Sequence, residues 1–503
     1  MNHWLMMPLL VPLVAAMINL LLGGRRMGCQ RLVSLACSVG LLAGSIILMG
    51  FAHSGEMYVY RLGDWPAPFA IVLVLDRLSG LLLVTTALLA LPCLLQAMDG
   101  DDGRGLHFHV LFPIQLLGIN GAFLTGDLFN LFVFFEILLI ASYSLALHGG
   151  GPERVRAGLH YVVLNLIGSA LFLLAVGTLY GLTGTLNMAD LAGRVAAAPT
   201  DQAALLRASG LVLLVVFGLK AGILPLHSWL PALYGSALAP VAALFAVMTK
   251  VGVYAMLRAA TLLFPPQGPV GGTLAALLPV LALLTLATGA IGALGAQRLR
   301  TLIASLVILS VGTLLAGIGQ FTASGFSAAL YYLPHTTLVT AGLFLLAEPI
   351  GGQRGDLEDR LDTGPPVGRP AALGLLFLMG GVAGAGLPPL SGFIGKLLLL
   401  RSAPLPDGTW LWGVVLGSSL LTLIALSRAG SRLFWGPVVD TETPTPAGWR
   451  PLLPATLLLA ASLAMTVAAA PICRYTEATA RQLLTPRHYI EAVLNPAPPG
   501  GTP

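Results

Sequence analysis

Three lysines, Lys220, Lys250 and Lys396, all fall inside long apolar segments, whereas the arginines fall in or near predicted loops. Arginine stays charged at any ordinary pH, but a buried lysine can lose its proton because burial disfavours the ammonium form. An ionised side chain in mid-membrane costs roughly 2.5–3.5 kcal/mol, so these lysines need either partners or a neutral state. The pattern predicts groups that load and release protons. Fixed ion pairs between helices are the alternative.

Glu136 is the predicted acidic partner of these lysines. It lies nine residues after Asp127 in the run Asp-Leu-Phe-Asn-Leu-Phe-Val-Phe-Phe-Glu, which places it about 13 Å further along a helix. Asp127 is expected to cap that helix rather than to carry protons. His335 lies inside an apolar segment and can accept and donate a proton, since the pKa of imidazole is ordinarily near neutral. We expect His335 to join the same relay, and His227 is a secondary candidate.

Two of the lysines lie beside an interruption of their own apolar segment. Pro225 follows Lys220 in the run Lys-Ala-Gly-Ile-Leu-Pro, and Pro388 and Pro389 precede Lys396 in the run Gly-Leu-Pro-Pro-Leu-Ser-Gly-Phe-Ile-Gly-Lys. Proline and glycine interrupt a helix and free backbone carbonyls. Paired broken segments in two halves of a chain are typical of an ion site in a transporter built from repeats.

The elements that position these residues are predicted to be transmembrane helices. The 503-residue chain is 56% hydrophobic and only 9% charged, against roughly 25% charged residues in a soluble domain. Apolar stretches of ~20 residues, long enough to cross a bilayer, recur from end to end. The sequence therefore predicts an all-α polytopic membrane protein with about fourteen spans. The predicted helices cover 4–23, 32–53, 73–98, 107–125, 127–148, 159–182, 204–230, 236–262, 272–296, 300–320, 325–347, 370–400, 409–432 and 450–472.

Charge and cysteine content exclude several other classes of protein. The net charge of +5 does not indicate nucleic-acid binding, because no basic cluster exceeds a few arginines. The four cysteines lack metal-ligand spacing and no redox-cofactor motif is present, so no cofactor is expected and a metal ion stays an open question. With fourteen spans, the side that holds the termini carries 9 arginines and the other side 14. The positive-inside rule then predicts both termini outside the cytoplasm of a bacterial inner membrane.

The segments around Glu136 and Lys396 carry a resemblance to a known family. The run Thr125-Gly-Asp-Leu-Phe-Asn-Leu-Phe-Val-Phe-Phe-Glu-Ile-Leu-Leu-Ile-Ala-Ser-Tyr143 and the run that ends at Lys396 resemble the antiporter-like subunits of respiratory complex I and of Mrp cation/proton antiporters. The resemblance covers about residues 70–435. It implies two inverted five-helix repeats, at 107–262 and 272–434, with discontinuous helices 7 and 12. Residues 1–106 precede the repeats, and 435–503 hold helix 14 and the C-terminal tail.

The resemblance also implies a role for each candidate residue. Glu136 resembles the glutamate that modulates its lysine, and Lys220 resembles the proton carrier of the seventh helix. Lys250 resembles the connecting lysine of the eighth helix, His335 the relay histidine of the eleventh, and Lys396 the lysine of the second half-channel. A second basic residue often follows that histidine in the family. This chain has Thr340 there, so transfer past the histidine needs water or a threonine hydroxyl.

The resulting functional prediction is a proton-translocating subunit of a multi-subunit Na⁺ or K⁺/proton antiporter, driven by the proton-motive force. The resemblance implies a larger A-type partner together with small membrane subunits. We expect a secondary transporter rather than an enzyme. The alternatives are a proton-pumping subunit of a complex I-like NADH:quinone oxidoreductase or membrane-bound hydrogenase, a structural scaffold, and a simple channel.

Overall fold

The computed structural model describes residues 2–24, 26–69, 71–268, 271–435 and 448–495. These ranges are almost entirely helical. The α-helices are α1 (Met7–Leu22), α2 (Met27–His53), α3 (Arg77–Ala97), α4 (Phe108–Leu124), α5 (Leu128–Ala146), α6 (Pro152–Thr183), α7 (Met188–Ala196), α8 (Ala203–Ala221), α9 (Trp229–Ser236), α10 (Ala239–Phe245), α11 (Met248–Arg258), α12 (Gly271–Gly295), α13 (Leu299–Ile318), α14 (Ala323–Gly351), α15 (Pro370–Ala385), α16 (Ser391–Ser402), α17 (Thr409–Phe434), α18 (Leu453–Val467), α19 (Ala469–Leu483) and α20 (Pro486–Leu494). A short antiparallel hairpin of β1 (Tyr58–Arg61) and β2 (Val72–Leu75) pairs Tyr58 with Leu75 and Arg61 with Val72.

The helices make this a multi-pass membrane protein. In the described ranges, 12 helical segments are long and apolar enough to cross a membrane, and α4 and α15 are shorter apolar helices. The predicted class of polytopic helical membrane protein is therefore confirmed. The helix predicted at 159–182 begins earlier, because Pro152 occupies the first turn of α6, where its missing N–H costs nothing.

Three central segments form the interior of the helix bundle. The continuous segment from α10 through α11 and a following π-helical turn (Ala259–Leu263) is completely buried. The helix α14 is buried apart from its first two residues and Glu348, and α13 is almost completely buried. Peripheral helices such as α6 and α17 instead expose leucine, isoleucine and valine side chains. In a bilayer these faces contact lipid, which is as apolar as the side chains themselves. The buried helices are thus the ones that hold groups shielded from both water and lipid.

Short elements at the terminus-bearing face were not predicted. The segment 183–203, predicted as a loop, contains α7, whose N-terminus is capped by the side chain of Asn187. The helix predicted at 450–472 ends at Val467, and the chain then forms α19 and α20. The Tyr475 hydroxyl donates a 2.8 Å hydrogen bond to the Arg77 carbonyl at the start of α3. These helices are amphipathic and carry many polar residues, so their hydropathy resembles that of loops.

Arg258 departs from the other arginines. It lies at the end of α11, is only 5% exposed, and its guanidinium makes a 2.5 Å ion pair with Asp76, which is 1% exposed. The rings of Tyr254 and Tyr489 lie 5.3 and 5.4 Å from the guanidinium carbon. Asp76 also caps α3 by accepting a 2.8 Å bond from the Ser79 N–H. This arginine is therefore part of the interior.

Candidate functional site

The two predicted interruptions have the same local structure. The helix α8 ends at Gly222 (φ +76°), where the Ile223 N–H donates a 3.0 Å bond back to the Gly218 carbonyl. The helix α15 ends at Gly386 (φ +80°), where the Leu387 N–H donates a 3.0 Å bond to the Val382 carbonyl. Both are Schellman-type ends, which need a left-handed residue that glycine adopts without strain.

The prolines follow these glycines rather than starting the breaks. Pro225 lies in the non-helical stretch between α8 and α9, and Pro388 and Pro389 lie between α15 and α16. Each break leaves a carbonyl of the preceding helix free to accept another donor. The Trp229 indole N–H donates to the Leu219 carbonyl over 3.2 Å at the first break.

Lys220 lies in the last turn of α8, buried beside α6. Its ammonium group donates a 2.9 Å hydrogen bond to Asn165 Oδ1 and lies 5.7 Å from the centre of the Phe135 ring. A cavity of about 10 Å³ touches Lys220, Asn165 and Trp229, which is room for about one water molecule. The charged form of this lysine is thus met by an amide oxygen and an aromatic face.

Glu136 does not pair directly with Lys220. It is half-buried on α5, and its Oε1 accepts a short hydrogen bond from the Ser169 hydroxyl on α6. Ser169 and Asn165 are four residues apart on α6 and so share one helix face. Asp127 caps α5 as predicted, since its carboxylate accepts a 2.8 Å bond from the Asn130 N–H.

Lys250 is completely buried on α11. Its ammonium group donates a 3.1 Å bond to the Ser310 hydroxyl oxygen on α13. The Ser310 hydroxyl in turn donates to the Val307 carbonyl over 2.6 Å, which leaves its oxygen lone pairs for the lysine. This lysine therefore also has a neutral partner.

His335 and Lys396 both lie beside the second break and bond to different partners there. His335 Nδ1 lies 2.8 Å from the hydroxyl of Ser391, the first residue of α16, and that hydroxyl lies 2.9 Å from the Ser462 hydroxyl on α18. Lys396 donates 2.8 Å to the Ala385 carbonyl, which ends α15, and 2.9 Å to the Ser419 hydroxyl on α17. The residues at the break thus provide the Ala385 carbonyl as a partner for Lys396 and the Ser391 hydroxyl as a partner for His335.

Two secondary candidates are not joined to this row by hydrogen bonds. The Thr340 hydroxyl donates 2.7 Å to the Thr336 carbonyl of its own helix. His227 lies in the first break, and its Nδ1 is buried without a hydrogen-bond partner in the described part of the chain. Thr340 in this geometry is satisfied by α14 itself.

The sequence prediction missed the neutral partners of the lysines. Asn165 was not among the candidate site residues, but it accepts the bond from Lys220. Ser310, Ser391 and Ser419 were not singled out. A polar residue isolated in an apolar helix was the available signal, since such residues hydrogen-bond across helices in membranes. The facing partner depends on packing, which hydropathy does not encode.

No carboxylate lies within 4.0 Å of a lysine ammonium group among the described residues, whereas arginines at several positions do have such partners. Over the same ranges, no cluster of three histidine, cysteine or acidic residues is arranged to hold a metal ion. Each lysine can therefore change its protonation state without breaking an ion pair. That property suits proton transfer.

Residues 125–422, which include all five candidate relay residues, match the family model described as NADH:quinone oxidoreductase/Mrp antiporter, transmembrane. The chain belongs to this family. A relative in Rhizobium meliloti, named as the D subunit of a probable K⁺/H⁺ antiporter, is 40% identical over 100% of this chain and 99% of its own length. The D subunit of a Na⁺/H⁺ antiporter of Alkalihalophilus pseudofirmus is 37% identical over 98% of this chain and 100% of its own length.

A solved structure extends the comparison to the fold. A chain in the structure of the Mrp complex from Dietzia sp. superposes with a TM-score of 0.90 at 26% identity, covering 98% of this chain and 100% of that chain. The relatives named above are antiporter subunits, which are transporters rather than enzymes. The resemblance to the Mrp type of the family is thereby confirmed along the whole length of the chain.

Proposed function

We propose that this chain is the proton-translocating subunit of a multi-subunit Na⁺ or K⁺/proton antiporter. The observation that carries the proposal is the environment of Lys220, Lys250 and Lys396. All three are at most 7% exposed and are bonded to amide, hydroxyl or carbonyl oxygens instead of carboxylates. A permanently charged structural lysine at such a depth would need a countercharge.

Proton transfer in this proposal follows the packing of the helices. Lys220 on α8 is modulated by Glu136 through the face of α6 that holds Asn165 and Ser169. Transfer continues to Lys250, since α8 packs against α11. From Lys250 the proton passes through the Ser310 hydroxyl on α13, and α13 packs against α14, which carries His335.

The last step of the relay crosses the second break. His335 contacts Ser391, and Lys396 lies five residues further along α16. A charge that arrives at one buried site alters the proton affinity of the next, because unit charges interact strongly in a low-dielectric interior. Water or a hydroxyl completes the steps between side chains that are not in contact.

The wider architecture is part of the same proposal. The 12 long apolar segments with α4 and α15 fit fourteen crossings, and the two matching helix ends at Gly222 and Gly386 fit a pair of inverted repeats. Proton movement would drive Na⁺ or K⁺ export together with a larger A-type partner protein and small membrane subunits. We place the chain in a bacterial inner membrane with both termini outside the cytoplasm, on the arginine distribution.

The test uses everted membrane vesicles from antiporter-deficient cells that express this chain with its neighbouring subunits. Adding Na⁺ or K⁺ should change the internal pH, and Lys220→Ala should remove the response. Arg401→Ala, an exposed change at the end of α16, is the matched control and should respond normally. Normal antiport in a Lys220→Ala, Lys396→Ala double variant would overturn the proposal.

A redox-driven proton pump is the second candidate, because the matched family also includes NADH:quinone oxidoreductase subunits. The same vesicles separate the two. A pH change that requires an electron donor and ignores added cations would favour the redox pump, whereas a cation response without a donor favours the antiporter.

A further inference from the structure

Two cavities join at the arginine-rich ends of the helices. The first is about 570 Å³ and lies among the ends of α6, α9, α13 and α14. The second is about 590 Å³ and lies between α6, α9 and the start of α13. Their walls share Glu153, Gly235, Ser236 and Arg298. We name the joined space the α6–α9 cleft.

The inner part of the cleft is lined by four arginines and three carboxylates, which leaves an excess of positive charge. Glu348 forms a 2.7 Å ion pair with Arg300, and Arg298 lies 3.5 Å from Glu153 and 3.9 Å from Glu358. The Arg300 Nε is buried and has no hydrogen-bond partner within the described ranges. Arg154 donates hydrogen bonds to the Ser236 and Gly150 carbonyls, at 2.8 and 2.9 Å, and not to a carboxylate. The five arginines of the walls are Arg104, Arg154, Arg156, Arg298 and Arg300.

The outer part of the cleft lies beside the lipid-facing side of α6 and has both apolar and polar walls. Ala157, Pro231 and Ala232 line it together with Arg156, His160 and Thr301. Beyond it along α6, Leu159 is 64% exposed and Val163 48% exposed. A small anion would contact only the charged residues and would leave the apolar ones uncovered. The shape and polarity of the whole match a molecule with an anionic head and an apolar chain.

We propose that the α6–α9 cleft binds an anionic phospholipid. Its phosphodiester group lies against the arginines, and an acyl chain runs outward along α6. Basic pockets between transmembrane helices are suited to such head groups because arginines near the membrane surface attract anionic lipids. The binding is independent of the antiport proposal.

The lipid would also brace one wall of the Lys220 site. Pro231, Ala232 and Gly235 of the cleft belong to α9. The same short helix carries Trp229, which bonds to the Leu219 carbonyl and lines the small cavity at Lys220. An occupied cleft would therefore hold α9 against α8.

The test measures lipid retention by native mass spectrometry on the complex purified in detergent with its partner subunits. The wild type should retain phosphatidylglycerol or cardiolipin. An Arg156→Gln, Arg298→Gln double variant should lose it by about tenfold or more. Arg481→Gln, Arg487→Gln removes two exposed arginines on α19 and α20 and should retain the lipid, which controls for overall charge.

A second measurement uses the thermal stability of the delipidated complex. Phosphatidylglycerol should raise the melting temperature of the wild type and not that of the Arg156→Gln, Arg298→Gln variant. Equal protection by phosphatidylcholine or by inorganic phosphate would overturn the proposal, as would unchanged retention in the double variant. A photo-crosslinker at Ala232 that captures a neighbouring protein of the complex instead of lipid would overturn it as well.

Discussion

Lys396 donates a 2.8 Å hydrogen bond to the carbonyl oxygen of Ala385, across the interruption of its own membrane segment. Ala385 is the last residue of α15, so the ammonium group lies at the negative end of a helix whose final carbonyls have no partner within that helix. At the first break the freed carbonyl of Leu219 is bonded by Trp229 instead, and Lys220 turns to Asn165. The lysine at the second break therefore bonds to a freed backbone carbonyl, whereas the lysine at the first break bonds to a side-chain amide.

Replacing Lys396 tests whether proton flux requires a group that can release its proton or only a positive charge at this position. Lys396→Met removes the titratable group, and Lys396→Arg keeps a charge that cannot be released. Both should reduce cation-driven proton flux by on the order of 100-fold, with the complex still assembled on a native gel. Ser419→Ala removes one hydrogen bond, worth about 1 kcal/mol, and should cause a much smaller loss. Normal flux in Lys396→Arg would contradict a proton-release role.

Asn165 offers a test of the neutral environment of Lys220. Asn165→Asp places a carboxylate on the lysine and should create a fixed ion pair, so proton flux falls while thermal stability of the complex is kept. Asn165→Leu removes the acceptor and should also lower flux, because the charged lysine loses its hydrogen bond. Flux assays in vesicles and melting curves in detergent would be compared. An aspartate variant that transports normally would exclude a need for a neutral partner.

Gly392 sets the distance between α16 and His335. A Cβ at this position would lie 2.8 Å from His335 Nε2 and would collide with the Ala383 carbonyl. Gly392→Ala should therefore displace the histidine, lower proton flux and destabilise the fold by about 1–3 kcal/mol. Gly413→Ala on α17 is the control, because a Cβ there meets no atom within 4 Å. Equal behaviour of the two variants would show that the close approach is unimportant.

Neighbouring carboxyls in the loop between α3 and α4 should respond oppositely to pH. Burial and the charge of Glu348 raise the pKa of Asp101 from its ordinary 3.8 to about 6. Burial acts in the same sense on Asp102, but hydrogen bonds from His109 and Arg31 outweigh it and lower that pKa to about 2. Ionised Asp101 therefore costs stability that grows as pH rises from about 4 through 6, whereas Asp102 contributes stability above about 4 that is lost toward pH 2.

Unfolding midpoints between pH 4 and 8 cover the Asp101 transition and the range in which the Asp102 contribution is constant. Asp101→Asn should stabilise the protein above pH 6 by about 3 kcal/mol, and the gain should vanish near pH 4. Asp102→Asn should destabilise it across the same range. A constant difference between Asp101→Asn and wild type over this range would contradict the raised pKa.

The Asp76–Arg258 ion pair should matter for stability more than for transport. Asp76→Asn leaves a buried guanidinium without its countercharge and should cost about 3–5 kcal/mol. The double variant Asp76→Asn, Arg258→Gln removes both charges and should recover part of the loss. Melting curves of the two variants compare their thermal stability. A double variant no more stable than the single one would contradict the pairing.

The apolar segments, the positions of both breaks and the cap at Asp127 were all predictable, because each depends on residues close together in sequence. The glycines, rather than Pro225 and Pro388, end the helices, and only the left-handed backbone reveals that. The partners of the lysines were not predictable. Asn165 and Lys220 are 55 residues apart, and their contact depends on how α6 packs against α8.

Short amphipathic helices were missed for a related reason. The helices α7, α19 and α20 bury one face on neighbouring elements, and their polar faces lower the local hydropathy to that of a loop. Arg258 was assigned to the water-facing residues because it lies near the end of its apolar segment. Its burial becomes visible only when α3 and α20 are placed beside it.

The ring of Tyr489 on α20 covers the guanidinium of Arg258, which has a consequence for biogenesis. The ribosome makes α3 and α11 well before α20, so Asp76 and Arg258 enter the membrane before the residue that covers them exists. We expect this side of the bundle to stay open until the last helices dock. Nascent chains stalled before α20 should therefore expose this pair to water-soluble reagents, and released chains should not.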